Sequence, residues 1–158
     1  MSDTIRMPEI EMLAVSSFEE LGAKMQRATP WFTMFLLWES PNTEIEFLAK
    51  RLRPLVDNGL VYLCAWGPGC EEMHDAIDQI VTEREQAGCC LSATVMSTSH
   101  PDESLGDALW YFNTQAVPDD PEVFANFSRY AVAIGSEESS RRLKQALIRQ
   151  GISGRDVS

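Results

Sequence analysis

A chain of 158 residues with 44% hydrophobic and 23% charged side chains has the length and composition of one globular domain rather than of a disordered segment. No apolar run is long enough for a membrane span and no signal peptide precedes the domain, so we expect a cytoplasmic protein without a membrane partner. The net charge is −11, and residues 57–123 contain thirteen Asp and Glu but only one basic residue, Arg84. This acidic composition argues against nucleic acid as a partner.

The apolar pattern divides the chain into three parts. Residues 1–29 are predicted to form an N-terminal extension, in which 17–28 could be a helix packed on a sheet edge or on a partner. Residues 30–152 are predicted to form a single α/β domain, and residues 153–158 a flexible tail.

Four short apolar runs, each followed by helical periodicity, predict strands at 31–38, 60–66, 89–96 and 130–135. The first helix is predicted to begin with Thr43 and Glu46, which have the spacing of a capping box. The second follows a Gly-Pro-Gly turn and ends at Gly88. Ser99 and Asp102 predict a capping box for the third helix, a loop follows it, and the fourth helix comes after the last strand.

The order βαβαβαβα requires parallel strands and right-handed crossovers. It predicts a three-layer α/β sandwich around a four-stranded parallel sheet, flavodoxin-like or Rossmann-like. We expect the strand order 2-1-3-4, because a flavodoxin-like sheet turns around its first strand. Ligands of such sheets bind beyond the carboxyl ends of the strands, so any site is expected in the loops there.

Residues with reactive side chains gather in those loops. Glu39 follows the first strand, Cys70 and His74 begin the second helix, and His100 with Glu103 follows the third strand. We predict that Cys70, His74, His100 and Glu39 share one pocket as the catalytic candidates. The predicted ligand-binding patch comprises Trp66, Gly67, Cys70, Glu71, His74, His100 and Glu103.

Two kinds of chemistry are open for Cys70. With His74 at i, i+4 it could ligate zinc, if His100 and Glu39 or Cys64 completed the set, but the paired spacings of structural zinc sites are absent. Alternatively, a thiol at a helix N-terminus has a lowered pKa and could be activated by His74 or His100. The sequence does not strongly imply any cofactor, and whether the chain is an enzyme stays open.

The glycine turn itself has a weaker and a simpler interpretation. As an anion site it is poor, because Pro68 removes an amide donor and carboxylates follow. As structure, it is a tight strand-to-helix turn, with Trp66 over the sheet edge and Cys64 in the core. Cys89 and Cys90 are also expected in the core, and all four thiols are predicted to be free in a reducing compartment.

Residues 64–75, CAWGPGCEEMHD, and 100–112, HPDESLGDALWYF, resemble the patterns CAWGPxCExxHD and HxxExLxxALWFF of a small uncharacterised bacterial family, a domain of unknown function. The resemblance covers residues 30–135. It implies a bacterial cytoplasmic origin and a functional patch at the predicted edge, but no activity. The family pattern falls on Cys64, Trp66, Gly67, Pro68, Cys70, Glu71, His74, Asp75, His100, Glu103 and Trp110.

An acidic chain without a complete catalytic constellation favours a binding or regulatory protein, whose carboxylates would meet a basic partner. We expect a protein partner or self-association. Immunity-type and defence-associated proteins would have such a surface. The alternative is a small hydrolase with a Cys/His or metal site at the carboxyl edge. A third hypothesis is a structural subunit that docks through its N-terminal segment and its aromatic third helix.

Overall fold

One parallel sheet runs through the computed structural model, which describes residues 7–25, 29–88, 93–152 and 155–156. Its strands are β1 Ile10–Val15, β2 Trp31–Trp38, β3 Leu60–Trp66, β4 Met96–Ser99, β5 Phe127–Ile134 and the short β6 Arg155–Asp156. The helices of this part of the chain are α1 Phe18–Lys24, α2 Ile45–Asp57, α3 Cys70–Gln86, α4 Leu105–Gln115, α5 Pro121–Phe124 and α6 Glu137–Arg149. None of these helices has the length and apolar character needed to span a membrane.

The strands stand in the order β4-β3-β2-β5-β1-β6, and every neighbouring pair is parallel. The predicted α/β class with parallel strands is confirmed, but the predicted four strands and the order 2-1-3-4 are wrong. The four predicted strands stand as 3-2-1-4, and β1 and β6 extend the sheet. A right-handed crossover can add the next strand on either side of the preceding one. The side depends on which face of the sheet the connecting helix covers.

Helices cover both faces of the sheet. Helices α1, α2 and α3 pack in one core and α4 and α6 in the other. The central strand β2 supplies both cores, since Phe32, Met34 and Leu36 face the first and Phe35 and Leu37 the second. The chain therefore travels from β2 to β4 with its helices on one face and returns to β5 across the other.

Residues 10–24, which the sequence pattern placed outside the α/β unit, belong to this sheet and its core. β1 lies between β5 and β6, with Ile10 and Met12 in one core and Leu13 and Val15 in the other. The helix expected within 17–28 is α1, and residues 26–28 lie outside the described part.

Three predicted starts also differ from those in the structure. The third strand, predicted at 89–96, is β4, and residues 89–92 lie outside the described part. Helix α2 begins after Glu44, because the Thr43 hydroxyl donates to the Ser40 carbonyl instead of capping. Helix α4 begins after Ser104, whose hydroxyl accepts a hydrogen bond from the Asp107 amide. The segment of residues 118–122, predicted as a loop, contains the start of the short helix α5.

A buried arginine connects the N-terminal segment to the sheet and to α4. Arg129 of β5 donates from Nε to the Pro8 carbonyl at 2.6 Å and from a terminal nitrogen to the Asn113 carbonyl and side-chain oxygens at 3.1 and 2.8 Å. Desolvation lowers the pKa of Arg129 to about 10. Three neutral oxygens thus satisfy a charge that burial disfavours.

If β1 is part of the core, Leu13→Ala should lower the free energy of unfolding by about 3 kcal/mol, because it leaves a cavity beside a fully buried side chain. Urea denaturation followed by circular dichroism measures the change. Phe47→Ala removes a larger side chain that is 42% exposed and is the matched control, expected to cost less than about 1 kcal/mol. Equal costs for the two substitutions would contradict the placement of β1.

Candidate functional site

The Gly-Pro-Gly turn after β3 packs its backbone directly against the end of β2. Gly67 has a φ of 119°, and a Cβ added there would lie 2.0 Å from the Trp38 carbonyl oxygen. A Cβ added at Gly69 would lie 2.4 Å from the Ser40 carbonyl oxygen and 2.6 Å from Cδ1 of Trp38. Both positions therefore require glycine, and the contact fixes the point at which α3 begins.

Gly67→Ala should lower the free energy of unfolding by about 3 kcal/mol or more, since the left-handed backbone and the clash with a carbonyl cannot both be relieved by side-chain movement. The measurement is urea denaturation. Gly22→Ala in α1, where an added Cβ meets no atom within 4 Å, is the control and should change the stability by less than about 1 kcal/mol. Wild-type stability in the Gly67 variant would refute the requirement for glycine.

A cleft of about 390 Å³ opens at the carboxyl edge of the sheet, beside this turn. β2 has β3 as its neighbour on one side and β5 on the other, so the order of the strands reverses at β2. The cleft lies at this topological switch point, and ligands of open α/β sheets bind at such points. The residues that line it are Glu39, Trp66, Gly67, Pro68, Cys70, Glu71, Pro101 and Arg142. The predicted candidates in this cleft are Glu39, Trp66, Gly67, Cys70 and Glu71.

A chain of contacts crosses the cleft. The Ser139 hydroxyl and the Arg142 guanidinium both donate to the Glu39 carboxylate. Arg142 also lies over the Trp66 ring, with Cζ 5.2 Å from the ring centroid. The Trp66 indole Nε1 donates to the Glu103 carbonyl at 2.8 Å. These contacts join the ends of β2 and β3 to α6 and to the loop after β4.

Sequence reasoning did not identify Ser139 and Arg142. The available signal was their position, since a helix that follows a parallel strand begins at the carboxyl edge. Their spacing of i, i+3 places both side chains on one face of the first turns of α6. That face meets Glu39 only because β5 is the neighbour of β2.

The two described cysteines are free and buried. Desolvation raises the pKa of the Cys64 thiol to about 12, and Thr98 lowers it only in part. Desolvation also raises the pKa of Cys70, although the backbone of His100 opposes the shift. Both groups are therefore thiols at neutral pH, and the pKa of Cys70 moves in the direction opposite to that of an activated nucleophile. Cys89 and Cys90 lie outside the described residues.

Native protein treated with iodoacetamide at pH 8 should stay unmodified at Cys64 and Cys70, because burial blocks access and disfavours the thiolate. Peptide mass analysis before and after unfolding in guanidinium chloride locates the label. Both sites should react fully once the protein is unfolded, which controls for reagent activity. Rapid native labelling of Cys70 would show an accessible thiolate and restore the nucleophile hypothesis.

His74 connects α3 to β4 and does not line the cleft. Its Nδ1 lies 2.6 Å from the Ser97 hydroxyl, and its Nε2 lies 3.4 Å from the Asp78 carboxylate. Within the described ranges, the group of three possible metal ligands whose ligand atoms approach within 4.8 Å consists of His74, Asp75 and Asp78. The structure therefore does not bring together the predicted set of Cys70, His74 and His100.

His100 is buried and forms part of a polar network behind the cleft. Its Nδ1 lies 3.1 Å from the Glu103 carboxylate, and its Nε2 lies 2.9 Å from the Thr98 hydroxyl. Because a carboxylate only accepts, Nδ1 donates to Glu103, and Nε2 shares the Thr98 hydroxyl with the Cys64 sulfur, which lies 3.4 Å from that hydroxyl. The ring also packs on Tyr111, at 4.8 Å between centroids. The ring nitrogens thus have protein partners, and His100 acts as a structural link between β4 and α4.

The chain is similar to one known protein family. The match to one family extends over residues 10–150, from the first residue of β1 to the end of α6. The chain belongs to the family described as a domain of unknown function (DUF7684). The expectation of an uncharacterised family is thereby confirmed, and the family domain includes residues 10–24. No curated protein and no solved structure matches the chain.

A second surface of this DUF7684 domain is defined by charge. Within the described part of the chain, β4 pairs only with β3 and is an outer strand of the sheet. No Lys or Arg occurs between residues 85 and 128, whereas seven Asp or Glu do. We use the name acidic edge for β4 together with the carboxylates around it, Asp75, Asp78, Asp102, Glu103, Asp119 and Asp120.

One side-chain contact, one position in the chain and one shared pocket place these carboxylates near β4. The bond between His74 and Ser97 holds the α3 carboxylates beside the strand. Asp102 and Glu103 follow the carboxyl end of the strand after His100 and Pro101. Asp119 and Asp120 line a small pocket of about 100 Å³ with Met96 at the amino end.

The basic residues are engaged elsewhere. Ion pairs in the described ranges join Arg51 to Glu19, Arg53 to Glu83, Arg84 to Asp57, Arg141 to Glu138 and Arg142 to Glu39. No described Lys or Arg pairs with a carboxylate of the acidic edge. Among the described residues, the carboxylates of this surface have histidine partners at Asp78 and Glu103 but no Lys or Arg partner.

Proposed function

We propose that this domain is a non-catalytic binding protein that docks a basic protein partner on its acidic edge. The observation that carries the proposal is an outer strand, β4, surrounded by carboxylates in a stretch without Lys or Arg. An outer strand offers unpaired backbone N–H and C=O groups to which an extended segment can add. Lys or Arg side chains of such a segment would meet the flanking carboxylates.

Charge selects the partner. Carboxylates along an outer strand oppose its pairing with a second copy of the same acidic edge, because like charges would be brought together. A basic segment would instead be attracted electrostatically by these carboxylates. The overall charge of −11 also accelerates the approach of a cationic partner, and the effect weakens with added salt.

The state of the candidate catalytic groups supports binding over hydrolysis. Burial raises the pKa of Cys70, so the thiolate that the hydrolase alternative needs is disfavoured. The ring of His100 is engaged by Glu103 and Thr98, and His74 contacts Ser97 and Asp78. The same proposal places the protein in the bacterial cytoplasm, where it would act as a regulatory or immunity-type protein against a basic partner.

A labelled peptide of alternating lysine and valine tests the proposal by fluorescence anisotropy. We expect the quadruple variant D75N/D102N/D119N/D120N to bind it about tenfold or more weakly than the wild type, because the steering and pairing carboxylates are gone. The matched control, E44Q/E46Q/E137Q/E138Q, makes the same change of net charge at exposed positions of α2 and α6 and should stay within about twofold.

Hydrogen exchange supplies the second readout, since strand addition should slow exchange at the backbone amides of β4 when the peptide binds. A peptide with glutamate in place of lysine should neither bind nor protect. Equal losses in the two quadruple variants would show attraction to net charge alone. That result, or unchanged exchange at β4, would overturn the proposal.

A further inference from the structure

We propose that the cleft at the carboxyl edge is a recognition site for a guanidinium group, occupied in the free protein by the chain's own Arg142. An arginine side chain of the partner would then displace Arg142 and take over its contacts with Glu39 and Trp66. The identity of the displacing group rests on the proposed function. The recognition site itself can be tested without any partner.

The groups that hold the guanidinium are fixed by other bonds. The Ser139 hydroxyl, in a side chain that is buried in the first turn of α6, donates to the second oxygen of Glu39. The indole of Trp66 is held by its bond from Nε1 to the Glu103 carbonyl. A carboxylate and an aromatic face therefore keep their positions when Arg142 leaves, and a preorganised site loses little in binding a replacement.

Arg142 itself is replaceable. Its side chain is 41% exposed, and its described contacts in the cleft are the ion pair with Glu39 and the packing on Trp66. Exposed ion pairs contribute little to stability, so rotation of this side chain into solvent costs little. The contact differs in this respect from the buried network around His100, where every ring nitrogen has a protein partner.

Charge in the cleft favours a second cation. Among the described residues, Arg142 is the one basic residue that lines it, beside the carboxylates of Glu39 and Glu71. Glu71 is exposed and forms no ion pair within the described residues. A planar guanidinium matches a carboxylate with two donors and stacks on an indole face, which an ammonium group does less well. The cleft should therefore prefer arginine to lysine.

The position of the cleft agrees with a role in partner binding. Pro101 lines the cleft and is followed at once by Asp102 and Glu103 of the acidic edge. A segment lying along β4 would have to continue past Pro101 at the carboxyl end of the strand and cross the end of β3 to reach Glu39. One arginine near the end of such a segment could then enter it.

The probe is agmatine, a small guanidinium compound, titrated into the protein by isothermal calorimetry. Removal of the resident guanidinium in Arg142→Ala should make agmatine bind about tenfold or more tightly than to the wild type. Arg141→Ala is the matched control, because it removes the same charge from the adjacent position and should stay within about twofold. The double variant E39Q/R142A should lose the gain.

Cadaverine, with an ammonium group in place of the guanidinium, should show less than half of the gain in Arg142→Ala. Circular dichroism and the thermal midpoint confirm that each variant is folded, and Arg142→Ser replaces the alanine variant if that one unfolds. No gain in a folded Arg142 variant, or an equal gain in Arg141→Ala, would show a plain ion pair and refute the proposal. A gain that depends on Glu39, combined with failure of the lysine peptide to bind, would remove the proposed partner and keep the guanidinium site.

Discussion

The backbone of the turn after β3 lies so close to the residues that end β2 that a Cβ does not fit at either of its two glycines. Gly67 and Gly69 make this approach possible, one with a left-handed φ and both without a Cβ. Trp66 and Glu39 become neighbours across the contact, and α3 starts close enough to the sheet to bury Cys70. The glycine turn thus forms one wall of the cleft, and the side chains proposed for recognition come from the segments that it holds together.

The sequence could predict the elements whose burial is complete. β2 and β3 have their predicted bounds, because a strand that is buried on both faces consists of a continuous run of apolar residues. β4 was misplaced because an outer strand with the sequence MSTS has no apolar signal. The order of the strands was also out of reach. It depends on which face each helix covers, and an amphipathic helix packs equally well on either face of a sheet.

The site was predictable to the extent that topology alone determines it. The carboxyl ends of parallel strands meet, and so Glu39, Trp66 and Cys70 were expected together. The positions of the two histidine side chains could not be predicted in this way, because the direction of each side chain depends on local geometry. His74 follows the core residue Met73 by one position, which turns it a quarter of the way around α3 toward β4. Arg142 could not be foreseen without the neighbour relation between β5 and β2, which the predicted order lacked.

The place of β1 in the sheet has a consequence for how the chain folds on the ribosome. β1 is synthesised first, yet its partners are β5, with Ile10 opposite Arg129, and the terminal β6. The strands β2, β3 and β4 can pair as soon as they emerge, but β2 then keeps an open edge until β5 arrives. Contacts between residues so distant in sequence slow the last step of folding, because the entropy of closing a long loop is lost before the contacts form. The apolar strand β1 therefore stays unpaired while the other elements of the domain are synthesised, and the sheet is completed only after β5 and β6 have emerged.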